Sequence, residues 1–216
     1  MIKAVIFDVD GVLIESAEIK TQAFALLFTD YPDKVGEIID YHNKNAGLSR
    51  YVKFRYFYEK ILGQQLSPAE ETELGKEYSR LVLEQVLKAP LVPGTMEFLN
   101  QNKDRYRFFI ASGTPENELK DIIACRGLSH FFQEVCGSPK QKEEIIEDIL
   151  ARYSFEKKET VFVGDAESDR SCAEQVGVFF VARICPGNHQ LEKCRWKIND
   201  LSGLETVLNN MSSRLN

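Results

Sequence analysis

Four aspartates fall in two closely spaced pairs. Asp8 and Asp10 lie in Phe7-Asp8-Val9-Asp10-Gly11-Val12, and Asp165 and Asp169 in Gly164-Asp165-Ala166-Glu167-Ser168-Asp169. Carboxylates that converge repel one another and raise each other's pKa unless a cation intervenes. Magnesium prefers oxygen ligands and keeps waters and phosphate oxygens, which suits Asp8 and Asp165 as direct ligands. Asp169 would ligate or orient a metal-bound water, and the Asp10 backbone carbonyl would add a ligand. A carboxylate is also a nucleophile toward phosphorus, and an aspartyl-phosphate on Asp8 splits one difficult displacement into two easier ones. Asp10 is then the group to protonate a leaving alcohol and to deprotonate the hydrolytic water. The transferring phosphoryl group spreads negative charge over its oxygens, so donors and a cation must surround it. Ser112 offers a hydroxyl, Gly11, Gly113 and Thr114 are further phosphate contacts, and Lys140 or Lys142 supplies the cation.

These residues are useful only if the chain carries them to one place. Ile2 to Phe7 is almost continuously apolar and β-branched, as in a strand buried on both faces of a parallel sheet. Similar runs recur at Arg107 to Ala111, Phe132 to Cys136, Thr160 to Val163 and Val178 to Val181, separated by helix-compatible sequence. The alternation predicts an α/β fold, a Rossmann-like doubly wound parallel sheet with right-handed crossovers. Ligands of such sheets bind beyond the carboxyl ends of the strands, where Asp8, Ser112 and Asp165 follow their runs. Between Asp10 and Arg107 there is far more chain than one crossover needs. It has helical periodicity around Ala17 to Phe28, Arg50 to Leu62 and Pro68 to Leu87, the last opened by Ser67-Pro68. The expected division is a catalytic core of residues 1–14 and 90–216 and an inserted α-helical cap of residues 15–89, with Ala89 to Gly94 as hinge.

Composition sets the class of partner. Hydrophobic residues make up 44% and charged residues 28%, an ordinary globular balance. The formal charge of −6 opposes nonspecific attraction to nucleic acid or an anionic membrane, so a small phosphorylated metabolite is the expected partner, bound by a monomer or homodimer. Five cysteines without a CxxC pair suggest neither a disulfide framework nor a zinc site. Asp8 and Asp10 interrupt the apolar N-terminus and no cleavage signal follows, so the expected location is the cytoplasm. His42, His130 and His189 lack ligand spacing and read as structural or surface residues; Trp196, in a short basic stretch, reads as packing.

Taken in order, Asp8-Val9-Asp10, Ser112-Gly113-Thr114, the lysines at 140 and 142, and Gly164-Asp165 to Asp169 resemble the four motifs of the haloacid dehalogenase-like hydrolase superfamily across essentially the whole chain. The resemblance implies Asp8 as nucleophile, Asp10 as acid and base, Ser112 as phosphate binder, a lysine near 142 as charge stabiliser, and Asp165 with Asp169 around Mg2+. The insertion looks like the helical cap of the phosphoglycolate phosphatase and β-phosphoglucomutase branch. Gly47 to Arg50 resembles the substrate loop of capped relatives, and Arg50, with Lys53 one turn on, either reaches an anionic part of the substrate or belongs to a solvated basic face over an aromatic core; Arg50 is the first cap residue to mutate. Two departures matter. Of Lys140 and Lys142, the second directly precedes a helical run and is favoured. Lys20 stands where mutase relatives carry a histidine, so a phosphatase acting on a small phosphomonoester outweighs a mutase. A phosphonatase using Lys20 or Lys53 as a Schiff base is a further alternative, and a phospho-accepting binding domain the non-enzymatic one. A dehalogenase is disfavoured by the presence of Asp10 and Asp165.

Overall fold

The structure is a computed structural model that describes residues 1–185 and 191–213; His189 lies outside the described residues. Its centre is a parallel sheet of six strands, β1 (Ala4–Phe7), β2 (Arg107–Pro115), β3 (Phe132–Ser138), β4 (Thr160–Gly164), β5 (Phe179–Arg183) and β6 (Lys197–Ile198), in the order β3-β2-β1-β4-β5-β6. The expected α/β fold is therefore the observed one. Side chains alternate across the sheet. Val5 and Phe7 enter one apolar core with Phe108, Ile110, Val161 and Val163, while Ala4 and Ile6 enter a second with Phe109, Ala111 and Phe162. Burial on both faces is why β1 reads as a continuous apolar run.

Helices α5 (Thr95–Asn102), α6 (Glu116–Cys125) and α9 (Leu204–Ser213) serve the first core, and α7 (Lys142–Tyr153) and α8 (Glu167–Val176) the second. The chain passes from β1 to β2 and β3 on one side and then returns to β4 on the other. This makes β1 the switch point, where an open parallel sheet leaves a crevice at its carboxyl edge.

The surplus chain after β1 folds into α1 (Ala17–Leu27), α2 (Pro32–Lys44), α3 (Arg50–Tyr56), which continues as a π-helical turn over Phe57–Leu62, and α4 (Pro68–Lys88). Helix α4 starts where the sequence places it. The Glu70 amide donates to Ser67 Oγ at 3.3 Å, the Ser67 amide donates back to Glu70 Oε2 at 2.9 Å, and Pro68 occupies the first turn. Tyr78, Val82 and Val86 then form its buried stripe, meeting Phe24, Phe28, Phe54 and Phe57. Helix α2 was not foreseen, although Pro32 opens it and Ile38 and His42 are buried one turn apart. Trp196 packs against the first core. No helix among the described residues is long and apolar enough to cross a membrane.

The Phe7 ring is fully buried and stands edge-on to Phe98, Phe108 and Phe132, with centroids at 6.2, 5.8 and 6.3 Å. Phe7→Ala should cost about 3–5 kcal/mol through lost transfer energy and a residual cavity. Urea unfolding should show this as a lower midpoint at an unchanged slope.

Candidate active site

Strand register brings the site together. Phe7 lies level with Ile110 of β2 and Val163 of β4, so Asp8 leaves the sheet between Ser112 and Asp165. The Asp8 amide continues the ladder to Val163 O at 2.9 Å, and its Oδ1 accepts the Val9 amide at 2.7 Å. Carboxylate oxygens of Asp8, Asp165 and Asp169 lie within 4.8 Å of one another, and all three side chains are buried. Asp169 arrives from the first turn of α8, where its Oδ2 accepts the Ala166 amide at 3.2 Å.

One cation is built into this cluster. Lys142, at the start of α7, donates from Nζ to Asp8 Oδ2 at 2.8 Å and to Asp169 Oδ1 at 2.6 Å. Burial alone would lower its pKa, but Asp169 and Asp8 together hold it above the usual lysine range. That cation does not balance the group. Burial, with the charges of Asp169 and Asp10, pushes Asp8 up to about 6 against the pull of Lys142, and burial with Asp169 and Asp8 raises Asp165 well above the carboxylate range. A buried set of hard oxygen donors carrying excess negative charge fits a divalent cation such as Mg2+, held by Asp8, Asp165 and Asp169.

Asp10 has a different environment. Lys20 is ion-paired to its Oδ2, the Thr114 hydroxyl donates to Oδ2 at 3.2 Å, and the Ser16 hydroxyl donates to Oδ1 at 2.6 Å. Burial would raise its pKa, but these partners outweigh it and hold Asp10 below the usual range, as an ionised acceptor.

The turn after Asp8 explains Gly11, which was expected to contact phosphate. It adopts φ +75°, and a Cβ there would stand 2.1 Å from Asp165 Oδ2. Gly11 therefore makes room for Asp165, and its carbonyl accepts from Arg183 Nη1 at 3.1 Å. Close approach also explains Gly47. A Cβ on it would lie 2.6 Å from Asp169 Oδ1 and 3.0 Å from Lys142 Nζ, and its amide donates to Ser168 Oγ at 3.2 Å. The loop before α3 thus rests directly on the carboxylate cluster.

A cavity of about 960 Å³ opens between the insert and the sheet edge, lined by Asp8, Asp10, Ser112, Gly113, Thr114 and Asp165 and, from the insert, by Lys20, His42, Arg50 and Lys53. Two of the expected site residues are held by carboxylates of the chain itself. Lys140 is exposed and ion-pairs with Asp148 at 2.6 Å, because the turn into α7 carries it outward while Lys142 points inward. Arg50 reaches the cavity wall, but its guanidinium is taken: Nη2 donates to Glu118 Oε1 at 2.6 Å and Nη1 to Glu118 Oε2 at 3.1 Å and to Ser79 Oγ at 2.6 Å. In this arrangement it fastens α3 to α6. The sequence reading missed Ser16 and His42 as members of the site, since nothing in their local sequence marks them.

A sequence model of haloacid dehalogenase-like hydrolases matches residues 2–177. A phosphoglycolate phosphatase of Synechococcus elongatus is 25% identical over 185 residues, 83% of this chain and 82% of the relative. A predicted phosphoglycolate phosphatase from Haemophilus somnus superposes with a TM-score of 0.76 at 18% identity, covering 96% of this chain and 98% of that one. A β-phosphoglucomutase from Clostridium difficile superposes with a TM-score of 0.77 at 19% identity, covering 100% and 99%.

The raised pKa of Asp8 has a stability consequence with a definite sign. A carboxyl whose folded pKa lies near 6 rather than at its ordinary 3.8 favours the fold at low pH, and that contribution is lost as pH rises through about 6. Without divalent cation, Asp8→Asn should therefore be more stable than the wild type at pH 7, by about 1–3 kcal/mol or a few degrees in Tm. Calorimetry should find the gap narrowed at pH 5, where the wild-type carboxyl is largely protonated, and narrowed again at pH 7 by added Mg2+.

Proposed function

Because the chain belongs to the haloacid dehalogenase-like hydrolase family, we propose that it is an Mg2+-dependent phosphatase that hydrolyses a small phosphomonoester through an aspartyl-phosphate on Asp8. The observation that carries this reading is the Asp8, Asp165 and Asp169 cluster with Lys142 bridging two of its members, at a cavity beyond the sheet edge. The phosphoglycolate phosphatase relative supports a small substrate. We assign residues 15–89 as a cap over a core of residues 1–14 and 90–216, and the contacts of Gly47 with Ser168 and of Arg50 with Glu118 support a cap that shuts bulk water out of the reaction. The cysteines are all free, which suits a reducing cytoplasm.

In the first step Asp8 attacks phosphorus, the bond from phosphorus to the ester oxygen breaks, and Asp10 gives its proton to the leaving alkoxide. In the second step Asp10 takes a proton from water as that water attacks the aspartyl-phosphate, releasing inorganic phosphate and restoring the Asp8 carboxylate. Asp10 is ionised in the resting site, so the incoming phosphoryl charge must raise its pKa before it can act as the acid. Lys142 fixes the nucleophile and balances charge on the equatorial oxygens, while the Ser112 hydroxyl, oriented by the Thr114 amide that donates to its Oγ at 3.2 Å, and the Gly113 amide donate to them. Bound by Asp8, Asp165 and Asp169, Mg2+ would neutralise the carboxylates and polarise the phosphoryl group.

A panel of small phosphomonoesters should release phosphate with Mg2+ and not with chelator. Asp8→Asn should reduce kcat/KM by at least about 10³-fold, and acid-quenched wild-type enzyme should carry phosphate on Asp8. Isomerisation of a sugar 1-phosphate much faster than phosphate release would reassign the chain as a mutase.

A further inference from the structure

Four cationic side chains line the cavity, and three of them already have carboxylate partners. Lys20 is paired with Asp10, Arg50 with Glu118 and Arg183 with Glu15. Lys53 is the exception among the described residues. Its Nζ donates to Ala46 O at 2.9 Å, lies 3.0 Å from His42 Nδ1, and sits 5.6 Å from the centroid of the Phe24 ring, with no carboxylate in ion-pairing reach. The residue is only 2% exposed.

Leaving a lysine in that position costs stability, because a buried cation without a counter-ion is strongly disfavoured. Burial pushes Lys53 well below the usual lysine range, and the charges of Lys20 and Lys142 push the same way. The surroundings nevertheless suit an ammonium. Burial drives His42 down to about 2, so its ring is neutral and Nδ1 can accept a hydrogen bond without adding a second positive charge. The Ala46 carbonyl accepts another. An ammonium has three donors, which leaves one for a ligand. The missing counter-ion is thus supplied most simply by whatever enters the cavity.

We propose that Lys53, positioned by His42 and the Ala46 carbonyl, binds a second anionic group of the substrate, so that the preferred substrates are small phosphomonoesters carrying a carboxylate or a second phosphate besides the phosphoryl group transferred. This rests on the phosphatase reading and makes Lys53, rather than Arg50, the specificity residue of the insert. Arg50 is bidentate to Glu118 and would have to abandon a half-buried partner to serve.

The test compares matched pairs of esters on the holoenzyme: 2-phosphoglycolate against ethyl phosphate, and propane-1,3-diol bisphosphate against propyl phosphate. The two pairs separate a carboxylate from a phosphate as the second anion. Wild-type enzyme should favour the charged member of at least one pair in kcat/KM. Lys53→Met keeps the apolar stem and should shrink that ratio about 10- to 100-fold, the loss expected for a charge-assisted hydrogen bond, while Lys53→Arg should retain most of it. Calorimetric binding of phosphonoacetate and ethylphosphonate gives the same comparison without turnover, so a failure of the phosphatase reading is distinguishable from a failure of this one. The proposal falls if the wild type shows no preference, or if Lys53→Met leaves the ratio unchanged. It falls also if borohydride with glycolaldehyde phosphate leaves a covalent adduct on Lys53, which would make the side chain an amine nucleophile rather than an anion receptor.

Discussion

Electrostatic repulsion among buried carboxylates is the constraint around which this protein is arranged. Asp8, Asp165 and Asp169 come from three different elements and are held within 4.8 Å, although burial and mutual repulsion raise two of them toward the neutral form. Holding them requires a rigid frame. The frame is the central strand β1, hydrogen-bonded on both sides, with a core packed against each face. Lys142 supplies part of the neutralisation from within the chain, and Gly11 gives up its side chain so that Asp165 can occupy its place. The fold thus holds a locally unfavourable arrangement that a cation can relieve, a common relation between stability and function.

Much of this was legible in the sequence because the relevant signals are local. A strand buried on both faces must be apolar throughout, so the positions of Asp8 and Asp165 at strand ends could be read directly. Other features depend on contacts that no local pattern encodes. Arg50 and Glu118 are 68 positions apart, and nothing around Arg50 distinguishes a substrate contact from an ion pair. Strand β2 runs on through Ser112 to Pro115, past the expected end at Ala111, because β3 continues alongside it with a register shift. Lys140 and Lys142 differ only in which way the turn into α7 sends them, and the sequence alone gave a preference without a contact. Helix α2 escaped notice because its polar face dominates its composition.

The insert is not a loosely tethered appendage in this arrangement. Its aromatic residues Phe24, Phe28, Phe54, Phe57 and Tyr78 belong to the same apolar cluster as Val12, Leu13 and Ile14 in the turn after Asp8. Displacement of the insert would break the Lys20 and Ser16 contacts that hold Asp10, as well as those of Gly47 and Arg50. Access to the cavity and the placement of Asp10 are mechanically linked through that segment. If Asp10 is the acid and base proposed above, the link gives a physical reason for its place at the root of the insert, where closure would also align the proton donor.

Charge balance ties the two ends of the cavity to each other. At the sheet edge Asp8, Asp10, Asp165 and Asp169 face Lys142 and Lys20, four carboxylates against two ammonium groups, and a divalent ion would bring that set to neutrality. In the phosphatase reading a phosphoryl group would then enter a balanced site, held by directed donors such as Ser112 rather than by a large positive field. Such a site does little by charge to select among phosphate esters, since every ester presents the same group to it. Discrimination must arise where the rest of the molecule lies, against the insert. There Lys20, Arg50 and Arg183 are already committed to protein carboxylates, and Lys53 is the cation for which the proposed reading leaves substrate charge as the partner.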